Sequence, residues 1–225
     1  MPVFYDFDRQ NGVEMGKLIC DFRVVGPVQT NCYFFYDEET SECVLVDPGD
    51  SAGKIKQYIE QKGLKPTAIL LTHGHFDHIL AVKELKESYD VTVYAAEEEK
   101  EVLKNTGLNL SGQMRNAVSL EADYWLKDGE ELDLLGQQMR CILTPGHTKG
   151  GMCFYFPKAG VLFSGDTLFE ESVGRTDFPT GSMSTLIRSI REKLFVLPPA
   201  VQVYPGHGMK TSIENEKLYN PFAAL

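Results

Sequence analysis

Long apolar runs, paired cysteines and positive charge are all scarce in this chain of 225 residues. No apolar stretch approaches the roughly 20 residues that a membrane-spanning helix needs. The opening segment, MPVFYDFDRQ, carries two aspartates and no long apolar run, so a secretory signal is not expected. The five cysteines, Cys20, Cys32, Cys43, Cys141 and Cys153, include no Cys-x-x-Cys pair. Their number is odd, and most lie in apolar runs such as KLIC, RCIL and MCFYF. That predicts reduced thiols used as small hydrophobes, and with them a cytoplasmic location. The charge balance, 22 Lys and Arg against 32 Asp and Glu, lacks the basic face that nucleic acid or an anionic membrane would require. Neither is expected as a partner, and nothing in the sequence specifies an oligomeric state.

Hydrophobic residues make up 43% of the chain, enough for a substantial core. Strands are predicted at 17–26, 30–37 and 42–49, which are β-branched and aromatic and are cut by Gly-Pro, acidic and Pro-Gly turns. A helix over 52–63 follows, capped by Asp50 or Ser51 and closed by Gly63. PTAILLT is the next strand, ILAVKELKESY a helix, VTVYAA a strand and EEEKEVLKNTG a short acidic helix. Residues 107–124 show no period and read as a surface loop of the kind that often borders an active site. Strands resume at EELDLL, MRCILTPG, MCFYFP and GVLFSGD; SMSTLIRSIREKLFVL is an amphipathic helix and VQVYPGHG a last strand. No linker, low-complexity tract or fixed-period repeat interrupts the chain. One domain over residues 1–225 is expected, with two sheets packed together and helices outside.

The segment LTHGHFDHIL places three of the five histidines and an aspartate just after a predicted strand. His147 follows MRCILTPG, Asp166 follows GVLFSG and His207 follows VQVYPG in the same way. Four strands thus end in small-residue turns that present His or Asp, and carboxyl ends along a shared sheet edge can converge on one point. His73 and His75, one residue apart, can reach one side; Asp77 and His78 would point to a neighbouring place. This predicts two adjacent metal sites, and mixed imidazole and carboxylate donors suit Zn, Mn or Fe. The absence of Cys near the cluster speaks against a closed structural zinc site.

THGHFDH, TPGHT, SGDTLF and YPGHG, in this order, resemble the metallo-β-lactamase superfamily, and the likeness runs from VGPVQTNCY and VLVDPG to NPF. It implies an αββα sandwich of two mixed sheets flanked by helices. It also implies a first metal site of His73, His75 and His147, a second of Asp77, His78 and His207, and Asp166 as the bridging carboxylate. His78 and Asp166 differ from what many true β-lactamases carry. GDTLFEESVGRTDFPTG is similar to the hydroxyacylglutathione hydrolase (glyoxalase II) group and to persulfide dioxygenases. The resemblance therefore implies a dinuclear hydrolase of small-molecule thioesters, with a glutathione-like thiol as carrier. Two divalent ions, zinc first and iron or manganese next, would be its cofactors. Asp77 would orient the attacking hydroxide as well as ligate, and Arg175 would hold a substrate carboxylate. The alternatives are a persulfide dioxygenase with one iron at His73, His147 and Asp166, or another hydrolase of the fold such as a lactonase. The chain stops 18 residues after His207, which implies no separate C-terminal glutathione-binding helical domain.

Overall fold

Three strands are buried along their whole length: β3 (Thr30–Asp37), β10 (Met152–Phe156) and β11 (Val161–Gly165). A strand with no solvated face needs a layer on either side, and the rest of the chain supplies those layers. The computed structural model describes residues 3–4 and 18–223. The reading of the N-terminal ten residues lies outside these except at 3–4.

The first half contributes β1 (Val3–Phe4), β2 (Leu18–Val25), β4 (Glu42–Val46), α1 (Ala52–Lys62), β5 (Lys65–Leu70), α2 (Phe76–Ile79), α3 (Val82–Tyr89), β6 (Thr92–Ala96), α4 (Lys100–Lys104) and β7 (Tyr124–Leu126). The second contributes β8 (Glu131–Leu134), β9 (Gln137–Leu143), β12 (Leu168–Phe169), β13 (Ser172–Val173), α5 (Met183–Ser189), β14 (Gln202–Pro205), β15 (Thr211–Ser212) and α6 (Ile213–Tyr219). One sheet runs β1-β2-β3-β4-β5-β6-β7, the other β15-β14-β11-β10-β9-β8. Both are mixed: β4 to β7 pair in parallel and so do β11 and β14, while the remaining pairs are antiparallel. Parallel neighbours need crossover connections. Helix α1 supplies one between β4 and β5, α2 and α3 the next, and α5 that from β11 to β14.

Three apolar layers hold the sandwich. Phe35, Val44, Leu70, Phe154, Phe156 and Phe163 pack between the sheets. Ile55, Ile59, Val82 and Leu85 cover the outer face of the first sheet, and Leu186, Ile190, Leu194 and Ile213 that of the second. This is the expected αββα order of layers. All five cysteines are buried and free. Among the described residues no helix is long and apolar enough to cross a membrane.

Some local expectations change. Ser51 is the N-cap of α1, but it is left-handed (φ 56°) and its hydroxyl makes no capping bond. The helix predicted from Ser182 does start there, with the Ser182 hydroxyl accepting from the Thr185 N–H, but it passes into a π-helical turn over Ile190–Leu194. The ligand-bearing strands do not share one sheet edge: β5 belongs to the first sheet, and β9, β11 and β14 to the second. The site is built where two sheets meet, because each supplies turns at the same end of the sandwich.

Candidate metal centre

Each donor is delivered by a turn that the neighbouring layer fixes. After β5, Thr72 is tied to Asp47, whose carboxylate accepts from the Thr72 N–H (2.8 Å) and hydroxyl (2.6 Å). Asp47 also accepts from His78 Nδ1 at 2.9 Å, which turns His78 Nε2 inward. The turn after β14 is clamped from the other sheet: Asn31 Nδ2 donates to Pro205 O and Gly208 O, each at 3.0 Å, and the Tyr33 hydroxyl donates to Pro205 O at 2.6 Å. Tyr33 is thus a core residue and not a wall of the cleft. The turn after β9 is fixed by α5, with the Ser182 N–H donating to Gly146 O at 2.7 Å and the Ser189 hydroxyl to Pro145 O at 2.8 Å.

These turns bring all seven predicted donors together. His73 Nε2, His75 Nδ1 and His147 Nε2 lie 2.9–3.3 Å from one another. Metal–nitrogen bonds of about 2.0–2.1 Å at tetrahedral angles place two ligand atoms about 3.3 Å apart, so the spacing fits a shared ion. Proton bookkeeping points the same way. His147 Nδ1 donates to the Arg175 carbonyl at 2.7 Å, which leaves Nε2 of the neutral ring bare. The Thr72 hydroxyl is spent on Asp47, so it accepts from His73 Nδ1–H (3.2 Å), which leaves His73 Nε2 bare as well. Two lone pairs then face each other at 3.3 Å, an arrangement that a cation stabilises.

Beside this set, Asp77, His78 and His207 form a second. His207 Nε2 lies 3.3 Å from Asp77 Oδ2, and His78 Nε2 lies 3.5 Å from the same oxygen. Asp77 Oδ2 also accepts from the Thr30 hydroxyl at 2.9 Å. Asp166 stands between the sets: Oδ1 is 3.4 Å from His78 Nε2, and Oδ2 is 3.6 Å from His147 Nε2 and 3.5 Å from His207 Nε2. His75 Nε2, His78 Nε2 and Asp166 Oδ1 are buried without a hydrogen-bond partner. Orphaned polar atoms of this kind need an explanation, and a divalent ion supplies one for His78 and Asp166.

The electrostatics divide the histidines. Burial, then the neighbouring imidazoles, holds His73 well below its usual range and His75 at about 3. Burial also works against charge on His78, but Asp77, Asp166 and Asp47 outweigh it and hold the ring at about 9. Burial acts likewise on His207, yet its bonds to Asp166 and Asp77 lift it to about 10. Burial tends to raise Asp77 and Asp166, and the charge on His78 is the largest influence against it. The outcome keeps Asp77 at about 2 and Asp166 well below the usual carboxylate range.

The cluster opens into a cavity of about 300 Å³ lined by Val28, Phe76, Leu110, Phe169, Phe178 and Arg175 besides the donors. The Arg175 guanidinium is exposed, forks onto Asp177 (3.0 and 2.8 Å) and stacks on the Phe178 ring at 4.3 Å. Lys149 is paired with Glu101 and is not among the lining residues. Sequence reasoning missed Thr30, Thr72, Asp47, Val28, Leu110 and Phe169. Asp47, Thr30, Thr72, Val28 and Phe169 lie in the motif segments VLVDPG, VGPVQTNCY, THGHFDH and SGDTLF, and Leu110 in the loop over 107–124, but nothing in the sequence shows which side chains of these segments face the site.

With this geometry in view, residues 25–207 match the metallo-beta-lactamase superfamily, and the chain belongs to that family. It is 38% identical over 198 residues to the hydroxyacylglutathione hydrolase GloC of Haemophilus influenzae, covering 86% of this chain and 92% of that one. The structure of BLEG-1, described as a B3 metallo-beta-lactamase, superposes with a TM-score of 0.86 at 37% identity, covering 91% of this chain and 99% of the other. That of TTHA1623 in a di-iron-bound form gives a TM-score of 0.78 at 36% identity, covering 90% and 99%.

Proposed function

We propose that this metallo-hydrolase of the superfamily hydrolyses thioesters of small thiols, as a hydroxyacylglutathione hydrolase (glyoxalase II) does. The observation that carries the reading is the pair of donor sets sharing Asp166 at the floor of an apolar-walled cavity. His73, His75 and His147 would hold one divalent ion, Asp77, His78 and His207 a second, and Asp166 both. Zinc is the first candidate, and the di-iron neighbour keeps iron in view. When bound, such ions supply a water acidic enough to ionise near neutral pH and Lewis-acid stabilisation of a developing oxyanion. The chain's own residues do the rest. Asp77, ionised and already accepting from Thr30, orients a water as a hydrogen-bond acceptor. Val28, Phe76, Leu110, Phe169 and Phe178 limit bulk water around the acyl carbon. Arg175 offers a cation at the cavity wall for a substrate carboxylate.

The lining favours the leaving group proposed. Both lining carboxyls are held ionised and His75 is held neutral. With His207 ligating an ion, as the second set would have it, its ring no longer carries a proton to give. A thiolate departs without one, whereas an amine does not. The likeness to GloC supports the same substrate class. The second reading is a persulfide dioxygenase with one iron at His73, His147 and Asp166; the donor set fits both, and the oxygen measurement below separates them.

The test is turnover of S-lactoylglutathione by metal-loaded protein, followed at the thioester absorbance. Glutathione persulfide with an oxygen electrode, a lactone and a β-lactam run in parallel. Thioester loss without oxygen uptake is expected. Oxygen uptake with persulfide alone, or β-lactam opening alone, would overturn the reading. In the same assay Arg175→Ala should raise KM about tenfold and leave kcat within about twofold, since only its backbone carbonyl touches His147.

A further inference from the structure

Behind the three-histidine set lies a carboxylate that the reaction does not use. Glu99 sits in a 3-10 turn, Glu97–Glu99, that follows β6. Its two neighbours in the acidic run are exposed, but Glu99 itself is 1% exposed. One oxygen accepts from the Gly74 N–H at 2.9 Å. The other accepts from the Thr148 hydroxyl at 3.0 Å and from the Gly150 N–H at 2.8 Å. Gly74 is the residue between His73 and His75; Thr148 and Gly150 lie one and three residues after His147. One buried carboxylate thus joins the two turns that deliver these histidines, one from each sheet.

The fit around it is close. A Cβ on Gly150 would lie 2.3 Å from the Glu99 N atom, so the turn after β9 can rest on this backbone only as glycine. Hydrogen bonds to an ionised acceptor are about twice as strong as neutral ones, and all three of these converge on a group shielded from water. Burial pushes the carboxyl up to about 7 even against those three bonds. A leucine or methionine would fill the same space without that cost, but it would leave three donors unmet.

We propose that Glu99 is a positioning residue that sets the spacing of His73 and His75 against His147, and so pre-forms the three-histidine set for a divalent ion. It acts through Gly74, Thr148 and Gly150 and touches neither ion nor substrate. The proposal rests on the donor assignment above but not on the substrate.

Stepwise zinc removal by a chromogenic chelator tests it, with His75→Ala and His207→Ala marking which step belongs to which set. Wild-type protein holding two equivalents supports the donor assignment; one holding none removes the basis of both readings. Glu99→Gln keeps the shape but turns an amide NH₂ toward a donor. It is expected to weaken the three-histidine step about 10–100-fold, the usual range for groups that orient ligands, and to leave the other step within about twofold. Glu98→Gln, at the exposed neighbour, should change neither. Should Glu99→Gln fail to fold, Thr148→Val removes one of the three bonds at constant volume and should weaken the same step alone. Unchanged zinc affinity in the folded variant, or equal weakening of both steps, would reduce Glu99 to a general packing contact and overturn the proposal.

Discussion

His78 and His207 are charged in the metal-free chain for a reason that lies in three aspartates, not in the rings themselves. Burial opposes both charges, and Asp77, Asp166 and, for His78, Asp47 reverse it. His73 and His75 have no such partners close enough to win, and burial keeps them neutral. Metal ligation requires bare imidazole nitrogens. Filling the set of Asp77, His78 and His207 near pH 7 must therefore expel up to about two protons, while filling the three-histidine set expels fewer. Because protons compete, affinity at the aspartate-containing set should rise with pH from neutrality to about 10, since His78 is held at about 9 and His207 at about 10. Calorimetric titration of the metal-free protein in buffers of different ionisation heat counts the protons. Equal release at both steps would contradict the assignment.

The turns between elements carry more of the site than the elements do. Gly146, just before His147, has φ +139°, and a Cβ there would lie 2.4 Å from the backbone of Leu186 in α5. The turn after β9 and helix α5 can meet only over a bare glycine. Gly146→Ala should cost at least about 2 kcal/mol, from strained backbone and overpacking together. A lowered urea midpoint would show the cost, and weaker zinc at the three-histidine step would show that the turn has moved. A variant as stable as wild type would mean that α5 shifts freely, against its bonds from Ser182 and Ser189 to this turn. The elements themselves were mostly legible in the sequence, since β-branched and aromatic runs and apolar helix faces announce them. The short strands β7, β12, β13 and β15 were not. They are two or three residues long, too short for an alternating pattern, and only their pairing defines them: β7 with β6, β12 with β13 and β15 with β14.

For the whole molecule, stability and chemistry are set in different places. Phe35 is fully buried between the sheets, with its ring 4.8 Å from that of Phe156 and 5.6 Å from that of Phe163. Phe35→Ala should cost about 3–5 kcal/mol and lower the melting temperature, while the folded fraction keeps its full metal content. Loss of metal in proportion to stability would instead mean that the inter-sheet layer itself aligns the two sets of turns. The sequence by itself determined the candidate donors, because HGHFDH and three strand-end His or Asp residues are chemistry that no packing pattern calls for. It determined the layered fold as well, because strands buried on both faces must be covered twice. Only the tertiary structure decided that the candidate donors come from two sheets, that Arg175 is already paired with Asp177, and that Glu99 alone of an acidic run turns inward. Each depends on which turns approach one another across the sandwich, and that distance is fixed by packing between residues far apart in the chain.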